Sequence, residues 1–158
     1  MEKLDILLKE KKLTISVVES CTSGLLASYL TSIPGSSAYF IGGIVAYSRN
    51  VKRLLLDVPE HIEVVSDKCV VAMNQGLKKM MTSDIYVSVT GYIGPTADDP
   101  ELLGTIYFSI MYNNIDHIFK IKLEICNRSE AKKKIVLKII DAIYKIIKGP
   151  EFLLEYIQ

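Results

Sequence analysis

Thr14-Ile15-Ser16-Val17-Val18-Glu19-Ser20-Cys21-Thr22-Ser23-Gly24-Leu25-Leu26-Ala27-Ser28-Tyr29-Leu30 decides how this chain is read. Residues 14–18 are a β-branched run, too short for a helix and suited to a buried strand. Glu19 to Gly24 is a polar knot closed by glycine. Beyond it, Leu25, Leu26, Ala27, Tyr29 and Leu30 have the spacing of a helix that ends before Pro34-Gly35. Buried strand, polar turn and helix together open an α/β layered domain. Ligands of open α/β sheets bind beyond the carboxyl ends of strands, so Ser20 and its neighbours are where chemistry is expected.

Working outward, Leu4, Ile6, Leu7 and Leu8 space Glu2–Lys12 as a short amphipathic helix. Ile41–Tyr47 reads as a strand, and Arg49–Leu56 as a short helix closed by Asp57-Val58-Pro59. Ser66 is placed to cap a helix with Cys69/Val70, Met73, Leu77 and Met80/Met81 on one face. Asp84–Thr90 alternates as a strand, Gly91–Leu103 is a loop, and Gly104–Tyr112 with Ile115–Leu123 forms a hairpin around Asn113-Asn114. From Ser129 to Lys148, Ile135/Val136, Ile139/Ile140, Ile143 and Ile146/Ile147 recur every three or four residues until Gly149-Pro150. The pattern predicts a three-layer α/β/α domain, with a mixed sheet because of the hairpin.

The 158 residues fit one domain, with 150–158 as a C-terminal tail. That tail carries Phe152, Leu153, Leu154, Tyr156 and Ile157, an apolar patch expected to fold back or to cover a neighbouring subunit, favouring a homo-oligomer. A hydrophobic content of 49% excludes a disordered chain, and 19 basic against 18 acidic residues leaves no footprint for nucleic acid. Cys21, Cys69 and Cys126 are far apart and show no metal-ligand spacing, which points to reduced thiols, a cytoplasmic location and no metal. Ser20–Ser48 lacks charge, yet its nine Ser/Thr residues and the Thr31–Ser37 loop argue against a membrane span. The charged N-terminus does not read as an export signal. No dinucleotide or Walker glycine pattern is present.

Ser20 precedes a helix whose first amides, at Thr22 to Gly24, are candidate oxyanion donors; the alternative is that Ser20 or Thr22 merely caps that helix. A serine nucleophile needs a base. His61 falls in a loop and His117 near a hairpin turn, a poor start for a Ser-His pair. Lys52 offers another route if burial, or Arg49 and Arg53 beside it, lowers its pKa; otherwise it belongs to a solvated basic helix face. Tyr47 ends the preceding strand. Cys21 is a rival nucleophile whose side chain should point away from that of Ser20.

Several stretches in register add to this reading. ESCTSG at 19–24, LTSIPGSSAYFIGGIVAYSRNVK at 30–52, VSVTGYIGP at 87–95 and GTIYFSI at 104–110 resemble the CinA C-terminal domain family, from Leu4 to about Lys148. The resemblance implies a cofactor-independent amidohydrolase that converts nicotinamide mononucleotide to nicotinate mononucleotide and ammonia. It implies Ser20 as nucleophile, with Tyr47 and Lys52 as partners. Its substrate, a pyridine mononucleotide, would meet Glu19, Thr22, Ser23, Gly24, Thr90, Gly91 and Arg128. This chain departs from the family at Ser23, where a glycine is usual, and at Tyr92-Ile93. It departs again at Thr96-Ala97-Asp98-Asp99-Pro100, where a glycine-rich stretch is usual, and at Cys126-Asn127-Arg128 in place of Gly-Asp-Arg. Two carboxylates facing the substrate would disfavour an anion. A weakened ligand- or partner-binding domain is therefore the second expectation. A role in DNA uptake or repair, suggested by the family's competence-linked name, finds no basic patch to support it.

Overall fold

The computed structural model describes residues 1–124, 127–149 and 151. The quoted stretch forms β1 (Ile15–Glu19), a turn, and α2 (Leu25–Leu30), preceded by α1 (Glu2–Lys11). Then come β2 (Phe40–Val45), α3 (Arg49–Leu56), α4 (Asp67–Met80), β3 (Ile85–Gly91), β4 (Thr105–Tyr112), β5 (Ile115–Lys122) and α5 (Arg128–Lys148). The five strands lie in the order β2-β1-β3-β4-β5. β1 is parallel to β2 and β3, whereas β4 runs antiparallel to both β3 and β5. The expected mixed sheet is present.

Side-chain alternation divides the core into two layers. Ile15 and Val17 of β1, with Ile85, Val87 and Val89 of β3, pack toward Leu4 and Leu8 of α1, Leu26 and Leu30 of α2, and the isoleucine stripe of α5. Val18 and Tyr86 pack instead with Leu56 of α3 and with Cys69, Met73 and Leu77 of α4. Both faces are thereby covered, and β1 is buried along its whole length, as a central parallel strand must be. Gly76 is required where α4 crosses α3, because a Cβ there would stand 2.3 Å from the Leu56 carbonyl oxygen.

Caps set the ends. Ser66 Oγ accepts from the Cys69 amide at 3.1 Å, as the sequence anticipated, although Met80 is exposed rather than on the buried face. Asn127 caps α5 by accepting from the Glu130 amide, so the helix starts at Arg128, one residue earlier than its apolar stripe suggests. The Asn113-Asn114 turn has both residues at positive φ, the backbone of a tight two-residue hairpin. The apolar tail, apart from Glu151, and Cys126 lie outside the described residues.

Candidate active site

Three strand ends converge on Ser20. Its amide donates to the Val89 carbonyl at 3.1 Å, carrying the β1–β3 ladder one residue further, and the Ala46 amide donates to the Glu19 carbonyl at 2.8 Å from the β2 side. The chain then leaves β2 through Ala46, Tyr47 and Ser48, and Ser48 caps α3 by accepting from the Val51 amide. One helical turn in, Lys52 reaches back under this junction. Its Nζ lies 2.9 Å from Ser20 Oγ, 2.8 Å from the Ala46 carbonyl and 3.0 Å from the Tyr47 carbonyl. Ser20 and Lys52 retain 7% and 2% of their exposure, so Lys52 is not on a solvated face.

The chemistry of this arrangement follows from counting protons. A neutral amine has two hydrogens and one lone pair. In that form the two carbonyls would take both hydrogens and leave the lone pair for the Ser20 hydroxyl proton, whereas the ammonium donates to all three acceptors. Burial pulls the Lys52 pKa below the ordinary 10.5, and the Arg49 guanidinium pushes it the same way. Arg53 plays no such part; it faces solvent and pairs with Glu60. Among the described residues, no carboxylate forms an ion pair with Lys52.

Other expected residues are placed differently. Glu19 is buried below the turn, where Oε1 accepts from the Leu26 amide at 2.8 Å and Oε2 from the Ala27 amide at 3.0 Å. It caps α2 and does not line the cleft beside Ser20, because a carboxylate is the natural partner for free amides at a helix start. Ser23 sits at φ 47° with its hydroxyl bonded to Lys132, and its amide donates to the Ser20 carbonyl. Gly24, at φ 96°, makes the αL entry into α2. The amides of Thr22 and Gly24 have no acceptor among the described residues, and the buried Thr22 hydroxyl has no partner there either. None of Glu19, Thr22, Ser23 and Gly24 lines the cleft.

That cleft encloses about 290 Å³ and is bordered by Ser20, Tyr47, Lys52, Thr90, Gly91 and Arg128 from the anticipated set. Arg49, Val64, Val65, Tyr92, Ile93, Thr96 and Asp98 complete it with Cys21. Thr90 spends its hydroxyl on the Val64 carbonyl. Gly91 is needed for close approach to β4, since a Cβ would fall 2.3 Å from Ile106 Cδ1. The Tyr47 phenol is exposed and receives a hydrogen bond from Arg128, so it is the Tyr47 carbonyl that holds Lys52. Arg128 also binds the Gly94 carbonyl, tying the 92–98 loop to α5. Arg49 is anchored by the carbonyls of Glu60 and Ile62. Neither histidine borders the cleft. The Cys21 thiol is pushed up to about 12 by burial, so it is protonated and inert at neutral pH. Among the described residues no three His, Cys, Asp or Glu side chains gather as metal ligands, and no helix is long and apolar enough to cross a membrane.

Fold and site together define an α/β domain with a buried serine–lysine pair beside a cationic cleft, at the carboxyl ends of parallel strands. Residues 1–147 match the CinA C-terminal domain, and the chain belongs to that family. It is 37% identical over 150 residues to a CinA-like protein of Thermotoga maritima, covering 92% of this chain but 36% of that protein. It is 38% identical over 140 residues to the MG115 homolog of Mycoplasma pneumoniae, covering 86% of this chain and 89% of that protein. Thus the chain spans about a third of the length of the CinA-like relatives and nearly all of the shorter one. A CinA superfamily protein from Klebsiella pneumoniae has the same fold, with TM-score 0.88 at 23% identity over 92% of this chain and 94% of that one. The competence/damage inducible protein CihA from Agrobacterium tumefaciens superposes with TM-score 0.77 at 26% identity, over 89% and 93% of the two chains.

Proposed function

We propose that the domain is an amidohydrolase acting on a carboxamide of the nicotinamide mononucleotide type. The observation that carries this reading is the contact of 2.9 Å between Ser20 Oγ and a buried, carboxylate-free Lys52. Ser20 Oγ bonds to the carboxamide carbon while its proton passes to Lys52 Nζ, giving a tetrahedral intermediate. The C–N bond then breaks, Lys52 returns the proton to the departing nitrogen, and ammonia leaves an ester on Ser20. Water attacks that ester, with Lys52 again taking and returning the proton, to release the acid. Arg49 and Arg128 supply the positive charge that a substrate phosphate needs.

Ammonia release from nicotinamide mononucleotide, followed with wild-type protein and Ser20→Ala, tests the reading directly. Turnover that disappears with Ser20→Ala supports it; no turnover in either protein rejects it. A binding domain without turnover is favoured by the same three lysine contacts counted the other way, since an ammonium has three hydrogens to donate. The pH profile separates the two. Hydrolysis should rise along one ionisation below pH 10.5 as Lys52 loses its proton, whereas binding of an anion by a charged lysine would fall over that interval.

A further inference from the structure

The loop at residues 92–98, which departs from the family pattern, puts a carboxylate in the lining of a cleft whose other charged residues are cationic. Asp98 lines it opposite no partner cation: its bond is from the Tyr92 hydroxyl, at 3.2 Å. Arg49, Lys52 and Arg128 are the other charged residues bordering the space. Both guanidiniums are already anchored by carbonyls, and neither forms an ion pair with Asp98. Tyr92 is held firmly, with its amide donating to the Thr105 carbonyl and its carbonyl accepting from the Gly104 amide. Its phenol is pushed up by burial and then by Asp98, against a smaller pull from the Arg49 guanidinium, so it remains a donor at neutral pH.

A ligand with negative charge alone would meet repulsion at Asp98. One with positive charge alone would meet it at the arginines. Resting on the reading above, we infer that Tyr92 and Asp98 determine specificity for a zwitterion, meeting its cationic heteroaromatic ring while Arg49 and Arg128 meet its anionic group. An aromatic face and a carboxylate are the two groups that recognise a delocalised organic cation. A pyridinium mononucleotide has this charge pattern, whereas its dihydropyridine form keeps the shape and the phosphate but loses the ring charge.

Calorimetric titration of both forms, into the Ser20→Ala protein to prevent turnover, isolates that charge. Adding Asp98→Asn should weaken the pyridinium form by roughly two- to fivefold, the scale of a partly exposed charge pair, and leave the dihydro form within error. Adding Tyr92→Phe keeps the ring and should cost the pyridinium form less. Equal weakening of both forms, tighter binding of both, or binding of neither overturns the inference. Circular dichroism and melting of each variant exclude misfolding, and Asp98→Glu should restore selectivity in part. Ammonia release is read separately on proteins that keep Ser20. Charge-selective binding without ammonia supports the inference while rejecting hydrolysis; hydrolysis with no Asp98 effect on the two affinities does the reverse.

Discussion

Two buried polar clusters in this chain look alike in composition and differ in what they leave unsatisfied. In one, Asn74 of α4 reaches the β4–β5 hairpin, with Nδ2 3.3 Å from Asp116 Oδ1 and 3.4 Å from the Ser109 carbonyl, while Ser109 Oγ donates to Asp116 at 2.7 Å. That cluster holds a helix to a hairpin. Asp116 takes two of its protons and the Ser109 carbonyl a third, Asn74 Oδ1 has no partner among the described residues, and the cluster borders no cleft of the candidate site. In the other, Lys52 has two carbonyls and a serine but no carboxylate, and it opens on a cleft. A polar cluster whose protons go to a carboxylate contributes stability; one that buries a base without a counter-ion keeps a lone pair to be used.

The sharpest way to break this contrast is to remove the reactive pair. Ser20→Ala, Lys52→Ala and Lys52→Arg should each lower ammonia release by at least about 100-fold, since a guanidinium cannot accept the serine proton. Steady-state kinetics on well-folded variants provides the check, and near-wild-type turnover in Lys52→Arg would reduce Lys52 to a binding charge. Asn74→Ala should show the opposite behaviour, with a loss of about 1–3 kcal/mol in stability from unpaired buried groups and little change in kcat. Urea melts and kinetics on the same sample measure both.

The pH dependence of stability sharpens the comparison further. Unfolded Lys52 holds its proton up to about 10.5, but the folded protein gives it up at lower pH. Between those two values the unfolded chain binds more protons, so stability from this residue rises with pH through the window and falls as pH drops through the folded pKa. Melting temperatures of wild type minus Lys52→Met should therefore increase toward pH 10.5. Asn74→Ala should show no such slope. The smaller effects come last: Tyr47→Phe should cost a few-fold in turnover at most, roughly the loss of one exposed hydrogen bond, because the carbonyl that holds Lys52 is unchanged. Cys21→Ala should be nearly silent in turnover, measured in the same assay.

Periodicity carried the layers well, since β-branched runs and isoleucine spacing depend on burial alone. The hairpin at Asn113-Asn114 was equally legible, because few residues accept two positive φ angles in succession. Ser20 and Lys52 could be paired through the family resemblance, yet the reason Lys52 works as it does is tertiary: two carbonyls just before α3 are aimed by the end of β2. Glu19 was misread. The family resemblance set it among the substrate residues, while its carboxylate is committed to amides seven and eight residues on. An acidic residue ahead of a helix that lacks a capping side chain at Gly24 was the available signal. Arg49 reaches the site on the first turn of α3 and Tyr92 and Asp98 on the loop after β3, a closeness with no sequence period.

The Glu19 carboxylate has one more effect. By fastening the start of α2 to the end of β1, it works as a cross-brace over the turn that carries Ser20. Loads on that turn pass through the brace rather than through residues 21–23. Ser23, a non-glycine residue at φ 47°, closes the turn with its amide on the Ser20 carbonyl while the hydroxyl of Ser20 still meets Lys52.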